Sequence, residues 1–374
     1  MFSQTESGAS SHHAEATRKS VLQVIGQLGY GGAETLILQV SVGLVSEGHR
    51  VGILVLDSAD PALLAQALAG GVQVWCCNAS LWSPLNALRI WRAARAGSFD
   101  VVHAHLFPSL YWAALASMLF SKQRFWFYTE HSTSNGRRRI KTLKVLEGLA
   151  YRRYRMIACI SPEARTSLLS WVPELPVCII ENGIDFERFS GARALDSGVL
   201  PLPAGKKLLL MVGAFRPEKN QRILVEAMLY LPDDHILVLA GDGGERQAVM
   251  AHASNLGISE RVLFVGVVRD VERLFKRADV YVLPSLFEGF GISALEAAAS
   301  GVPIVFADVP GLADMMEGAG WSTNPRDARD IARAISEAVC AGKESERVRK
   351  AKDVASRFSI TTTVQKYKRL YDSH

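Results

Sequence analysis

The sequence lacks most of the features that would take it out of the ordinary globular class. It has no apolar run near the ~20 residues that a membrane-spanning helix requires. The most apolar windows, 106–120 and 156–160, are broken by Pro108, Ser109 and Ser117 or are too short. The first residues, MFSQTESGASSHHAEATRKS, have no apolar core, so a secretory signal peptide is not expected and 1–19 reads as a polar, disordered leader. Cysteine is scarce and odd in number, five in 374 residues. Cys76, Cys77, Cys159 and Cys178 lie in apolar strand-like runs without metal-ligand spacing, so they and Cys340 are expected to be buried thiols of a reducing cytoplasm. Net charge is also small, +5 from 42 basic and 37 acidic side chains, which argues against a dedicated nucleic-acid binder.

What is present is length and alternation. A chain of 374 residues exceeds what one core of roughly 250 residues supports, so two domains are expected. Short β-branched apolar runs alternate with helical patterns in both halves, the mark of parallel sheets built from βαβ units. Strands are expected near 21–28, 50–57, 72–77, 100–105, 124–130, 156–161 and 177–180, then near 208–213, 236–240, 262–265, 280–284 and 303–307. Nearly continuous hydrophobicity in each run means helices on both faces. The stretch 191–205 is rich in Gly, Ser, Pro and Ala and has no period, which makes it the linker. The expected organisation is an N-terminal domain over 20–190, a C-terminal domain over 206–358 and a last helix at about 360–374 that packs back on the first domain. Ligands of such sheets bind beyond the carboxyl ends of the strands, here in the cleft between domains.

Three strand–loop–helix segments carry chemistry. In PSLFEGFGISALEAAASGVPIV, 284–305, the loop Glu288-Gly289-Phe290-Gly291 opens a helix whose free N–H groups can hold hydroxyl or phosphate oxygens. Glu288 alone reads as a helix cap and Glu296 alone as a solvated helical residue. Together they can grip two parts of one extended ligand, because carboxylates accept from sugar and ribose hydroxyls. In MVGAFRPEKNQRILVEA, 211–227, Arg216 and Lys219 stand between strand and helix, where two cations suit a diphosphate; an ordinary basic loop is the plain alternative. In LGYGGAETLILQVSVGL, 28–44, Gly31 and Gly32 remove side chains where backbone approaches a ligand at a helix N-terminus. Neither a Walker loop nor the full dinucleotide glycine pattern is present. His103 and His105 in VVHAH are read as pointing to opposite faces of a strand, which with the missing ligand spacing speaks against zinc. His105 and His131 can reach the cleft to bind hydroxyls or exchange a proton, or serve as structural histidines.

These residues resemble the retaining glycosyltransferases of family 4, also called group 1. The carriers are the Glu288 to Glu296 spacing, GGAE at 31–34, VVHAH at 101–105, TEH at 129–131, ENGID at 181–185, PEKN at 217–220 and GDG at 241–243. The resemblance implies an α/β fold of GT-B type, two facing Rossmann-like domains with a central cleft. It further implies a nucleotide-sugar donor on the C-terminal domain as co-substrate, with no other cofactor. Glu288 would bind donor-sugar hydroxyls, the amides of Gly289, Phe290 and Gly291 the sugar or phosphate, and Glu296 the ribose. Lys219 falls on the family's diphosphate lysine, Gly31 and Gly32 on its N-terminal phosphate loop, His131 on a cleft histidine, and Val267 lies where backbone meets the base. One departure is that the arginine usual after the strand glycine is Ala214, and Arg216 is the nearby guanidinium offered in its place. No Asp-x-Asp triplet occurs, so no metal site is expected. A UDP-sugar is preferred to GDP-mannose, with front-face transfer and retention of configuration.

The small net charge hides a strong local one. Residues 137–155, RRRIKTLKVLEGLAYRRYR, hold eight Lys/Arg and one Glu, leaving 34 basic and 36 acidic residues elsewhere. A helix over about 140–155 would place Lys141, Lys144, Arg152 and Arg155 on one face and Ile140, Leu143, Leu146, Leu149 and Ala150 around the others. Such a helix fits an anionic membrane surface. The expectation is a cytoplasmic enzyme, peripheral on the inner face of the cell membrane, that modifies a lipid-linked glycan in cell-surface polysaccharide synthesis and has no nucleic-acid partner. The competing readings are an epimerase or hydrolase of the same architecture and a catalytically weak membrane-binding protein.

Overall fold

The computed structural model describes residues 18–120, 124–132, 138, 140–196 and 205–373. The expected leader falls almost wholly outside the described residues, as do 197–204 of the expected linker and Arg137 and Arg139 of the basic stretch.

Two all-parallel sheets form the molecule. The first comprises β1 (Ser20–Ile25), β2 (Arg50–Val55), β3 (Gln73–Cys76), β4 (Val101–His105), β5 (Phe125–Glu130), β6 (Met156–Cys159) and β7 (Val177–Ile179), ordered β3-β2-β1-β4-β5-β6-β7. The second comprises β8 (Lys207–Val212), β9 (His235–Ala240), β10 (Val262–Gly266), β11 (Val280–Leu283), β12 (Ile304–Ala307) and β13 (Trp321–Thr323), ordered β10-β9-β8-β11-β12-β13. The architecture is thus the expected α/β pair of Rossmann-like domains. β13, three residues long, is an addition, too short to show a pattern in the sequence. The strands are buried because helices cover both faces: β1, β4 and β9 have no exposed residue. Outer strand β3 is the exception, with three of its four residues exposed.

In both sheets the strand order reverses beside the first strand, between β1 and β4 and between β8 and β11. A crevice opens at such a point because the two following loops leave in opposite directions. Every motif singled out above for chemistry follows one of these strands or its neighbour.

The last helix, Ile360–Asp372, packs against Gly32–Ser46 on the first domain. A Cβ at Gly43 would meet Val364 Cγ2 at 2.5 Å, so a larger residue there would force the helices apart. The chain returns to that domain beside its outgoing crossing. Ile184 N donates to Phe358 O and Ile360 N to Ile184 O, each at 2.8 Å. Here too a side chain at Gly183 is excluded, since its Cβ would lie 2.5 Å from Ser359 O.

Two expectations are corrected. The helix in the basic stretch runs only over Leu143–Tyr151 and buries Glu147. Glu147 accepts from Tyr111 Oη at 3.1 Å and Trp171 Nε1 at 2.7 Å, which fixes the carboxylate inward. Val145, Leu146 and Leu149 consequently face solvent among the cations instead of turning away from them. The cysteines are not uniformly buried: Cys159 is, Cys77 and Cys178 are half-buried, and Cys76 and Cys340 are exposed, Cys76 because β3 is an outer strand.

Candidate active site

Loop ends from both domains converge on the crevice. After β8, Arg216 stands before a short 3₁₀ turn, Pro217–Lys219, and Lys219 points toward the loop after β11. Its Nζ reaches Glu288 Oε2 at 2.7 Å, an ion pair in which the carboxylate is the more buried partner. Glu288 also accepts from Ser285 Oγ and from Gly291 N, each at 3.3 Å. Gly291 is the N-cap of the helix Ile292–Ser300 and adopts the left-handed conformation, φ +75°, which glycine supplies without penalty. Glu288 therefore both caps that helix and neutralises Lys219. Phe290 is buried beneath the loop, its ring edge-on to Phe358 at 5.3 Å.

Glu296 lies one turn further in. It retains some solvent contact, yet burial pushes its carboxyl up to about 8, with the charge of Arg188 opposing and that of Glu272 adding to the effect. Arg188 is engaged by Glu272, 2.7 Å from Nη2 to Oε2, and so does not hold Glu296 ionised. Val267 follows β10 at the outer side of the crevice and is half exposed.

The N-terminal domain faces this set closely. A Cβ at Gly32 would lie 3.3 Å from Ile292 Cδ1, and one at Gly289 would lie 3.2 Å from the carbonyl oxygen of His131. Gly31 is the N-cap of the helix Gly32–Ser46, and the carboxylate of Glu34 folds over it, 2.1 Å from where a Cβ would stand. Burial raises the Glu34 carboxyl, and a hydrogen bond from its own backbone, then the nearby charge of Arg216, partly offset this. Arg216 is thus close to the opposite domain, but its side chain is 68% exposed and its ion pair with Glu218 is long, 3.9 Å.

His131 follows β5, and its Nε2 lies 3.3 Å from His105 Nδ1. Burial brings His131 down to about 4, His103 to about 3 and His105 well below the usual imidazole range, so all three are neutral near pH 7. The expectation that His103 and His105 occupy opposite faces is wrong. Residues two apart in a strand share a face, and their rings stack at 4.2 Å. Among the described residues no group of three or more His, Cys, Asp or Glu is arranged to hold a metal ion.

Sequence reasoning missed Glu34, Tyr367 and Tyr371. Glu34 had a readable signal, since a glutamate three residues after an N-cap commonly folds back on it. The tyrosines had none, because they meet His103 only through the returning helix.

Comparison with known proteins agrees with this geometry. The family model described as glycosyl transferases group 1 matches residues 193–353, and that of Glycosyltransferase Family 4 matches 30–188, between them most of the chain. An Escherichia coli UDP-Gal:alpha-D-GlcNAc-diphosphoundecaprenol alpha-1,3-galactosyltransferase is 27% identical over 64% of this chain and 66% of its own length. A D-inositol 3-phosphate glycosyltransferase of Mycobacterium sp. (strain KMS) is 28% identical over 88% and 82%. Among solved structures, Anabaena HepE in complex with UDP and glucose superposes with a TM-score of 0.81 at 23% identity, covering 96% of this chain and all of that one. WaaG, a glycosyltransferase involved in lipopolysaccharide biosynthesis, superposes with a TM-score of 0.73 at 16% identity over 94% of this chain and 99% of that one. With the paired Rossmann-like sheets, the crevice between them and both family models in agreement, the chain belongs to the family 4, group 1 glycosyltransferases of GT-B architecture.

Proposed function

We propose that the protein transfers a sugar, with retention of configuration, from a nucleoside-diphosphate sugar to an acceptor hydroxyl. The observation that carries this reading is the Lys219–Glu288 pair at the start of the helix Ile292–Ser300, faced across the crevice by the glycine-opened helix Gly32–Ser46. A cation, a carboxylate and two helix N-termini around one space suit a ligand that carries both phosphates and hydroxyls. On donor binding Lys219 exchanges Glu288 for the diphosphate, and Glu288 turns to accept from sugar hydroxyls. As the glycosidic bond breaks, negative charge grows on the diphosphate, and Lys219, with Arg216 swinging in from solvent, stabilises it. Glu296 would hold the ribose, and the backbone around Val267 the base. His131 would meet the reacting sugar from the opposite wall. No metal step is needed in this scheme.

A UDP-sugar is the preferred donor. Support comes from the E. coli relative, named for a UDP-galactose donor, and from the HepE complex with UDP. That relative is also named for a diphosphoundecaprenol acceptor, which favours a lipid-linked glycan here. The exposed face formed by Lys141, Lys144, Val145, Leu146, Leu149 and Arg152 supports a peripheral position on an anionic, cytoplasm-facing membrane surface. Insertion of a leucine side chain contributes about 1.5–3 kcal/mol, and each nearby cation about 1 kcal/mol.

A panel of UDP- and GDP-sugars, followed by nucleotide release with and without lipid-linked acceptor, tests the reaction. Acceptor-dependent release from one donor is expected. Epimerised or hydrolysed donor as the main product, independent of acceptor, would replace the reading with an epimerase or hydrolase, and donor binding without turnover would replace it with a binding protein. Sedimentation with anionic liposomes tests the surface: Leu149→Asp should reduce binding roughly tenfold or more, and binding unchanged by Leu149→Asp or by added salt would remove the membrane from the account.

A further inference from the structure

A chain of hydrogen bonds runs through the N-terminal domain where an apolar core would be expected. It begins at Tyr367 on the returning helix, whose hydroxyl lies 3.1 Å from Thr129 Oγ1. Thr129 Oγ1 is 2.8 Å from His103 Nε2, and His103 Nδ1 is 2.6 Å from Tyr371 Oη. Tyr371 Oη is 3.4 Å from Gln23 Nε2, Gln23 Oε1 is 2.7 Å from His105 Nε2, and His105 Nδ1 is 3.3 Å from His131 Nε2. Gln23, His103, His105, Thr129, Tyr367 and Tyr371 are all buried. The last atom in line, Nδ1 of His131, is buried and has no hydrogen-bond partner among the described residues.

The direction of such a chain is set by its one group of fixed polarity. A neutral imidazole donates once and accepts once, and a hydroxyl donates once and can accept, so both follow either direction, whereas an amide presents an oxygen at one end and an NH₂ at the other. Gln23 turns its oxygen to His105, so His105 donates from Nε2–H and its Nδ1 is a bare lone pair. His131 must then donate from Nε2–H to that lone pair, which leaves His131 Nδ1 without a hydrogen. On the other side Gln23 Nε2 donates to Tyr371 Oη, Tyr371 donates to His103 Nδ1, His103 Nε2–H to Thr129, and Thr129 to Tyr367. Every link is satisfied once, with no donor facing a donor. Turning the amide over would reverse each link and place a hydrogen on His131 Nδ1. The two directions therefore prepare His131 for different partners: a lone pair accepts from a hydroxyl, and an N–H donates to a phosphate or carbonyl oxygen.

We propose that this chain fixes the tautomer of His131, presenting its Nδ1 lone pair to a hydroxyl of the bound sugar, and that Gln23, His105, His103 and Tyr371 are positioning residues acting through His131. The hydroxyl as partner rests on His131 facing the sugar, as proposed above; the tautomer does not. Burial supports the assignment, since it keeps all three imidazoles neutral and the links are then hydrogen bonds between uncharged groups. The unmet Nδ1 is also informative. A buried polar atom left without a partner is unfavourable, and a ligand hydroxyl at His131 Nδ1 would complete it.

The test is a two-bond ¹H–¹⁵N spectrum of the full chain labelled at its nine histidines, recorded near pH 7, with His131 identified by its loss in His131→Gln. The expected signature is His131 protonated at Nε2 and bare at Nδ1. In Gln23→Leu, His131 should shift to a mixture of tautomers, and Tyr371→Phe, which keeps the ring and removes one link, should move it part of the way. In turnover assays Tyr371→Phe should lower kcat about fivefold, the equivalent of one lost hydrogen bond, with donor KM nearly unchanged. A wild-type His131 protonated at Nδ1 would overturn the proposal, as would a His131 signal unmoved in both Gln23→Leu and Tyr371→Phe. Should the wild type turn over no sugar nucleotide, the reading of its reaction fails while the tautomer is still decided by the spectrum.

Discussion

At the C-terminal wall of the crevice Lys219 and Glu288 meet as an ion pair with partial access to solvent. At the N-terminal wall His103, His105 and His131 are uncharged and linked through buried tyrosines, a threonine and an amide. One wall stores charge that a charged ligand can take over, and the other stores direction, a fixed order of donors and acceptors. The contrast follows from burial. A half-buried ion pair keeps water near enough to limit its desolvation cost, while imidazoles withdrawn from water are held neutral and can differ only in which nitrogen bears the hydrogen. The proposed reaction, which expels a charged diphosphate and positions sugar hydroxyls, would use one wall of each kind.

The largest break in this contrast is Lys219→Ala. Loss of the cation removes the Lys219–Glu288 ion pair and, in the proposed reaction, the charge that would stabilise the diphosphate. kcat/KM for nucleotide release should fall about 10²–10³-fold, and a loss under tenfold would show that the charged wall is not where the leaving group is stabilised.

Next in size is the pH dependence of donor binding. The Glu296 carboxyl is raised to about 8 in the unliganded protein, so near pH 7 it is mostly protonated and would be a weaker acceptor for the ribose hydroxyls it is proposed to hold. Donor affinity measured by calorimetry should tighten as pH rises through about 8, by roughly tenfold, and Glu296→Gln should flatten that rise. An unchanged rise in Glu296→Gln would assign it to another group.

The smallest effect sharpens the difference in sign between the walls. For Glu296 the folded-state value lies above the ordinary carboxylate value, so the native state binds more protons and stability falls as pH rises from 4.5 toward 8. For His103 and His131 it lies below the ordinary imidazole value. The native state binds fewer protons, and stability is lost as pH falls from 6.5 toward about 4 for His131 and about 3 for His103. Each such imidazole adds about 1.4 kcal/mol per pH unit within its window. Urea midpoints at pH 5 and pH 6 should therefore differ less in His103→Gln than in the wild type, and an equal difference would mean that His103 takes up its proton without unfolding.

Much of the scaffold was legible in the sequence because it rests on local signals. Parallel strands between helices are continuous apolar runs, and β1 to β12 all fall where such runs occur. β13 was missed because three residues show no period. Lys219 and Glu288 could be named separately, but their pairing joins positions 69 apart, and only the strand order brings them together. Glu147 shows the limit from the other side. A glutamate in a basic amphipathic stretch reads as solvent-facing, and it is buried because Tyr111 and Trp171 arrive from other helices to bond it. The shared face of His103 and His105 needed only the two-residue period of a strand; the tyrosines beside them needed the fold.

The paired crossings at Gly183 and Ser359 also decide how the molecule can be taken apart. Because the chain leaves the first domain there and comes back alongside itself, that domain is not a continuous piece of sequence. A fragment ending near residue 190 would lack Tyr367 and Tyr371 and leave His103 Nδ1 without its bond to Tyr371. Residues that follow the C-terminal domain thus complete the domain that precedes it, so the N-terminal domain reaches its finished state only after the C-terminal domain has been made.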